Sequence, residues 1–280
     1  MARMRMEVGD APGPSASFVM CVNRDNPWLI EAIDSVLMQE DRDFEFLIAA
    51  NDCDDALWSK LVSYCSKDNR IRLFRTAVGQ LAFNLNVLAN EASGEYLVRM
   101  DSDDVCTPQR LGVLRHSLAT EAVDILGSAV VLIDDAGKCI GQMDFPITHR
   151  AIVRALPTRT VFCHPAVAIR RQFLLDMKGY LGGFASEDTD LWLRAQRAGA
   201  TMANLPSPLL QYRVHRRQTI MSSIGYAEVA GHWLREWLVA PSWRRLYGFL
   251  LASGKAIFAR WLPGIGRYRT ARQKRDGFDG

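Results

Sequence analysis

The run Asp101-Ser102-Asp103-Asp104 sets three carboxylates in four residues. It follows Tyr96-Leu97-Val98-Arg99-Met100, which predicts a short buried strand, and precedes Thr107-Pro108, which predicts a helix start. Carboxylates crowded at a strand end repel one another, and a divalent cation between them relieves the repulsion. An all-oxygen donor set suits Mg²⁺ or Mn²⁺, which often share their coordination with substrate phosphates. Taken alone, the same residues also read as a solvated acidic turn that caps the following helix. Three further places carry chemistry. Asn51-Asp52-Cys53-Asp54-Asp55 is a polar turn after an apolar run. Ser186-Glu187-Asp188 opens a helical stretch, where acids favour the helix dipole or present a general base to a hydroxyl. Arg213 and His215 lie two apart, so on a strand they share a face that could hold phosphate or simply be solvated.

The elements that must position these groups alternate. Strands are predicted at 17–22, 44–50, 71–74 and 96–100. Helices fall between them, one from Pro27 with Asn26 as its cap, one capped by Asp54 or Asp55, and one over 79–92. That alternation predicts an α/β fold with a mostly parallel, right-handed βαβ sheet flanked by helices. Ligands of such sheets bind outside the carboxyl ends of the strands, where the acidic runs fall. No GxGxxG follows the first strand, so a dinucleotide fingerprint is missing. The second half is more mixed, with a predicted hairpin around Asp135-Ala136-Gly137, a strand over 161–169 interrupted by Pro165, a helix over 187–198 and a last strand over 209–214.

A chain of 280 residues, 49% hydrophobic and 23% charged, can bury a substantial core without disulfides or structural metal. Its six cysteines form no CxxC pair and read as reduced thiols of a cytoplasmic protein. Residues 1–16 lack an apolar stretch and are expected to form a disordered leader; no run is long and apolar enough to span a membrane. The net charge of +3 divides unevenly: residues 235–280 carry +7 and the rest −4.

The ordered series of motifs resembles family 2 glycosyltransferases of the GT-A fold, in their bacterial surface-polysaccharide branch. The resemblance rests on Phe18-Val19-Met20-Cys21-Val22-Asn23 with the helix after Trp28, on Gly79, Asn86 and Ala92-Ser93-Gly94-Glu95-Tyr96, on Arg99-Met100-Asp101-Ser102-Asp103-Asp104, and on His164-Pro165, Gly179-Tyr180, Glu187-Asp188 and Tyr212-Arg213-Val214-His215. It implies a nucleotide-diphosphate sugar as donor, held through Mn²⁺ or Mg²⁺. Asp103 and Asp101 would be the metal ligands, with His215 touching the ion. Asn23, Asn51, Asp52, Asn86, Arg99, Asp101 and Arg213 would be donor-binding residues. Asp188 would be the base that activates an acceptor hydroxyl, with inversion, and Glu187 would help bind the acceptor. One departure concerns the paired aspartates that often close the family's second strand: here Ala50 and Asn51 stand there, so the nucleobase contact passes to the Asn51 amide or to Asp52. The processive branch's Gln-x-x-Arg-Trp signature is reduced to Ile257-Phe258-Ala259-Arg260-Trp261, which favours transfer of one sugar per visit.

The expected division is a leader over 1–16, the catalytic domain over 17–220 and a helical appendage with a basic tail over 221–280. The appendage is either a cap on the catalytic domain or a peripheral contact with the inner face of an anionic membrane, where a lipid-linked acceptor would lie. Nothing in it matches a nucleic-acid module. Two other functions fit parts of the pattern: a non-catalytic sugar-nucleotide binder, given Ala50, and a phosphatase of the haloacid dehalogenase type, given Asp101-Ser102-Asp103-Asp104-Val105.

Overall fold

Every residue of β1 (Ala16–Val22) and β2 (Phe44–Asn51) is buried, as expected of strands covered on both faces. The computed structural model describes residues 14–215 and 223–259. Between the two strands runs α1 (Leu29–Leu37). After β2 come α2 (Asp55–Cys65), β3 (Ile71–Thr76), α3 (Leu81–Glu91) and β4 (Tyr96–Met100). All four strands are parallel and ordered β3-β2-β1-β4. The order reverses between β1 and β4, and the crevice outside their carboxyl ends is the switch point where open α/β sheets bind ligands.

The chain continues as β5 (Val105–Cys106), α4 (Arg110–Thr120), β6 (Ile125–Ile133), β7 (Cys139–Met143), α5 (His149–Ala155), β8 (Ala168–Arg170), α6 (Arg171–Asp176), α7 (Glu187–Arg197) and β9 (Met202–Arg213). This half makes the sheet mixed. β8 lies antiparallel between β4 and β6, β9 runs parallel to β6, and β5 and β7 pair antiparallel with β9 and β6. The parallel character expected of the whole sheet thus belongs to its first half. β7 returns directly through a hairpin, without the crossover helix that parallel pairing needs.

Alternation along β1 divides the core. Phe18, Met20 and Val22 pack with α1, α2 and α4. Val19 and Cys21 face α3 and α7, and on that side Ala230 and Trp233 of α8 (Ser223–Val239) and Ala252 of α9 (Trp243–Phe258) join the cluster. The two last helices therefore cover one face of the sheet. The close packing of α9 on α8 depends on Gly248, where a Cβ would sit 2.5 Å from Trp233 Cδ2.

Several boundaries differ from expectation. The first helix starts at Leu29 rather than Pro27; Asn26 instead closes a turn, its Oδ1 accepting the Trp28 N–H at 2.9 Å. Asp54 does cap α2, accepting from Leu57 N at 2.8 Å. The strand expected over 161–169 breaks into a 3₁₀ turn at His164–Ala166 followed by β8, because Pro165 has no N–H for a ladder. No described cysteine is in a disulfide. Residues 1–13 and the basic tail beyond 259, for which a leader and a membrane contact were expected, lie outside the described residues.

Candidate active site

β4 ends at Met100 and delivers the acidic loop to the switch point. One carboxylate oxygen each of Asp101, Asp103 and Asp104 lies within 4.8 Å of the others. Burial and the Asp101 charge raise the Asp103 carboxyl above its usual range, against the opposing pull of His215. Asp104 is 1% exposed and is pushed well up by burial and by both neighbours. Its Oδ1 accepts the Arg213 backbone N–H at 2.8 Å, while its Oδ2 is buried with no hydrogen-bond partner. A crowded, oxygen-only cluster with an orphaned buried oxygen fits a hard divalent cation. Asp104 is the member of this cluster that the sequence reading did not assign to the metal.

β9 supplies the other half of this corner. His215 Nε2 is 2.8 Å from Asp103 Oδ2, and its ring lies 4.8 Å from that of Trp28. Arg213 shares this face, as its two-residue spacing from His215 predicted, and its side chain is engaged by protein groups. The side chain is 1% exposed, and all three guanidinium nitrogens donate to protein: Nε to the Asp103 carbonyl at 2.8 Å, Nη1 to the Asp134 carbonyl at 3.1 Å and Nη2 to Glu31 Oε2 at 2.7 Å. Arg213 also lies over the Trp28 ring. It is a brace between β9, α1 and the acidic loop.

Arg99 is likewise buried rather than presented to a ligand. Nη2 donates to Asp101 Oδ1 at 2.5 Å, Nη1 donates to the Met100 carbonyl, and Nε has no acceptor. Asn86 spends its amide on one backbone segment, Nδ2 donating to the Tyr180 carbonyl and Oδ1 accepting the Tyr180 N–H, both at 2.8 Å. That clamp needs Gly179, which has φ +69° and where a Cβ would fall 2.2 Å from Asn86 Oδ1. Both residues were expected to bind the donor; in this structure both have protein partners.

The remaining expected donor residues stand at the edge of the crevice. Asn23 is exposed just past β1. Asn51 closes β2 but is buried, with an unpartnered amide oxygen. Asp52 turns out to the surface at φ +49°, and its N–H bonds the Thr76 carbonyl at 2.8 Å. Gly79 leaves it room: a Cβ there would meet Asp52 Oδ2 at 2.9 Å.

α7 starts with Glu187 and Asp188, as expected. Burial, then the Asp188 charge, pushes the Glu187 carboxyl up to about 7. Burial also raises Asp188, against hydrogen bonds from Thr189 N at 2.6 Å and Thr189 Oγ1 at 3.3 Å, both to Oδ1. His164 Nδ1 lies 3.7 Å from Glu187 Oε1, and its Nε2 is 3.0 Å from the Tyr180 hydroxyl. Burial and the Arg99 charge hold this imidazole well below its ordinary pKa, so it is neutral near pH 7. His164 and Tyr180 had only marked motifs in the sequence. No local spacing joins residue 164 to 187; the 3₁₀ turn at Pro165 does. Arg99 connects both corners, since its charge acts on Asp101, Glu187 and His164.

The loop before α7 is held from α8. Glu228 accepts from Phe184 N at 2.8 Å, Ala185 N at 3.2 Å and Ser186 Oγ at 2.8 Å. Deeper in the interface, fully buried Asp190 accepts from Arg194 at 2.7 Å and Arg235 at 2.6 Å, and buried Glu236 pairs with Arg197 and Arg235.

The chain and its fold resemble known proteins. The chain is 36% identical over 226 residues to the O-antigen biosynthesis glycosyltransferase WbnJ of Escherichia coli, covering 79% of this chain and 88% of that one. The S. aureus TarS 1–349 structure superposes with a TM-score of 0.66 at 16% identity over 88% of this chain and 72% of that one, and its complex with UDP-GlcNAc gives 0.63. The mannosyltransferase PcManGT of Pyrobaculum calidifontis, solved with GDP-Man and Mn²⁺, gives 0.65 at 15% identity over 92% of this chain and 75% of that one. The motif at 101–105 ends the fourth strand, not the first as in a haloacid dehalogenase core. The sequence pattern of glycosyl transferase family 2 matches residues 17–177, which carry the parallel half-sheet and its acidic loop. With that match and the WbnJ relationship, the chain belongs to glycosyl transferase family 2, and it is a glycosyltransferase.

Proposed function

We propose that this enzyme moves one sugar from a nucleotide-diphosphate donor, UDP- or dTDP-linked, to a hydroxyl of a glycan or lipid-linked acceptor in polysaccharide biosynthesis, with inversion at the anomeric carbon. The observation that carries the reading is the cluster of three carboxylates, with Asp104 Oδ2 buried and unpartnered, at the β1/β4 switch point. A relative concerned with O-antigen and structural neighbours holding UDP-GlcNAc or GDP-Man with Mn²⁺ support it.

Asp101 and Asp103, with Asp104 behind them, would hold Mn²⁺ or Mg²⁺. The ion when bound neutralises charge on the departing diphosphate. His215 orients Asp103, Arg99 fixes Asp101, and Arg213 holds the loop between them. Asp188 takes the proton of the acceptor hydroxyl at Oδ2, because Oδ1 is engaged by Thr189. Glu187, at about 7, is placed to exchange a hydrogen bond with the acceptor in either protonation state near neutrality. Asp52, exposed where Asn51 is enclosed, is the better candidate for the nucleobase edge.

Calorimetric titration of UDP, dTDP, GDP and CMP, with and without Mn²⁺, tests this on wild type and Asp103→Ala. The expected result is metal-dependent binding of one uridine or thymidine diphosphate, lost in the variant. Folded wild type that binds none of the four would sink the donor assignment.

A further inference from the structure

Both sides of α9 are apolar. Gly248 and Ala252 pack inward, the former against the Trp233 ring. On the opposite side Trp243 is 87% exposed, and Tyr247, Leu250, Ile257 and Phe258 are each more than half exposed. At 3.6 residues per turn these five fall on one stripe of about 100°. Leu238 and Val239, at the end of α8, are exposed as well. A contiguous outward patch of this kind marks an interaction surface, because scattered apolar residues do not align on one helix face.

Basic residues flank the stripe. Arg244 and Lys255 lie along one edge of it, and Arg244 stands beside Arg245 and Arg154 of α5 closely enough that their charges, with burial, lower its pKa. Among the described residues no carboxylate pairs with any of these three arginines; Arg245 gives its guanidinium N–H to the Ala240 carbonyl. Charge discriminates among occupants. A second copy would bring the same positive rim against this one. Residues 260–280 of the chain itself carry six Lys/Arg against two acids and would be repelled as well. An anionic surface with an apolar interior complements both the stripe and its rim.

We infer that the outward face of α9, with Trp243, Tyr247, Leu250, Ile257 and Phe258 as its apolar contact and Arg154, Arg244 and Lys255 as its basic rim, docks in the plane of an anionic lipid bilayer. The face lies on the side of the sheet that α7 and α8 cover. It rests on exposure and charge, not on the donor chemistry, so a failed nucleotide titration leaves it standing.

Flotation of the full chain with phosphatidylcholine vesicles, with and without phosphatidylglycerol, tests it. The expected result is binding to the anionic vesicles that weakens as salt rises. Arg244→Glu with Lys255→Glu reduces partitioning about thirtyfold or more, since each basic residue near such a surface adds ~1 kcal/mol. Trp243→Ser with Leu250→Ser and Ile257→Ser abolishes it, with an unchanged circular dichroism spectrum. The charge variant keeps the test decisive should the apolar one fail to fold. No flotation by folded wild type overturns the inference, as does flotation unaffected by both variants. A dimer in sedimentation velocity that the apolar variant dissolves would assign the face to a second copy and overturn it equally.

Discussion

Glu187 and Asp188 share a helix start, yet each has a different second partner. Asp188 spends one oxygen on Thr189; Glu187 faces neutral His164. Asp188→Asn keeps the shape and the Thr189 contacts while removing the base, so kcat should fall ~10²–10⁴-fold with little change in melting temperature. The Glu187 carboxyl is raised to about 7 from 4.5, so the folded chain holds a proton there that the unfolded chain releases. Its contribution to stability is complete below about pH 4.5 and is lost as pH rises to about 7. Glu187→Gln should remove that slope, leaving the variant more stable than wild type at pH 8 by about 1–3 kcal/mol in urea unfolding. At the acidic loop, chelation should abolish turnover and restored Mn²⁺ or Mg²⁺ should recover it. Recovery should fail in Asp103→Asn; full activity in chelator would remove the metal from the mechanism.

At the scale of elements, α8 does more than cover the sheet. Glu228 gathers three donors from the loop that leads into α7, so this C-terminal helix sets where Glu187 and Asp188 stand. Glu228→Gln keeps the size but weakens the charge-assisted bonds. The expected outcome is a fall in kcat of about tenfold with donor affinity unchanged in calorimetry; equal losses in both would mean general unfolding. One turn deeper, Asp190→Ala strips the carboxylate from Arg194, whose charge is buried, and should cost about 3–5 kcal/mol. The sequence marked Glu187-Asp188-Thr189-Asp190 as an acidic helix start. It did not separate Asp190, which faces the α8 interface, from its neighbours, because partners at 194 and 235 become visible only when α8 is docked.

For the molecule as a whole, two helices from the chain's end close over the face of the sheet that bears α3 and α7, and their close approach depends on a missing side chain. Gly248→Ala would drive a methyl into the Trp233 ring, so α9 should shift and stability fall by about 1–3 kcal/mol, with faster proteolysis between α8 and α9. The same packing leaves the other side of α9 facing outward. No described helix is long and apolar enough to cross a membrane.

Local pattern was enough for the parallel half-sheet, for α7, and for which residue types gather at the strand ends. Those features come from hydrophobic alternation and from acids placed at element termini, and each is written within ten or so residues of chain. What each polar side chain does was a tertiary decision. A sequence cannot show which guanidinium or amide groups are already engaged by protein. Arg213 and Asn86 are engaged by Asp103, Asp134, Glu31 and Tyr180 from elements far apart in the chain, whereas Arg99 is held by its near neighbours Met100 and Asp101. The sequence alone determined the family and the place of the acidic loop. Tertiary packing decided which groups remain open to chemistry, because a polar group buried without a partner is costly and the fold draws those partners from wherever the chain brings them.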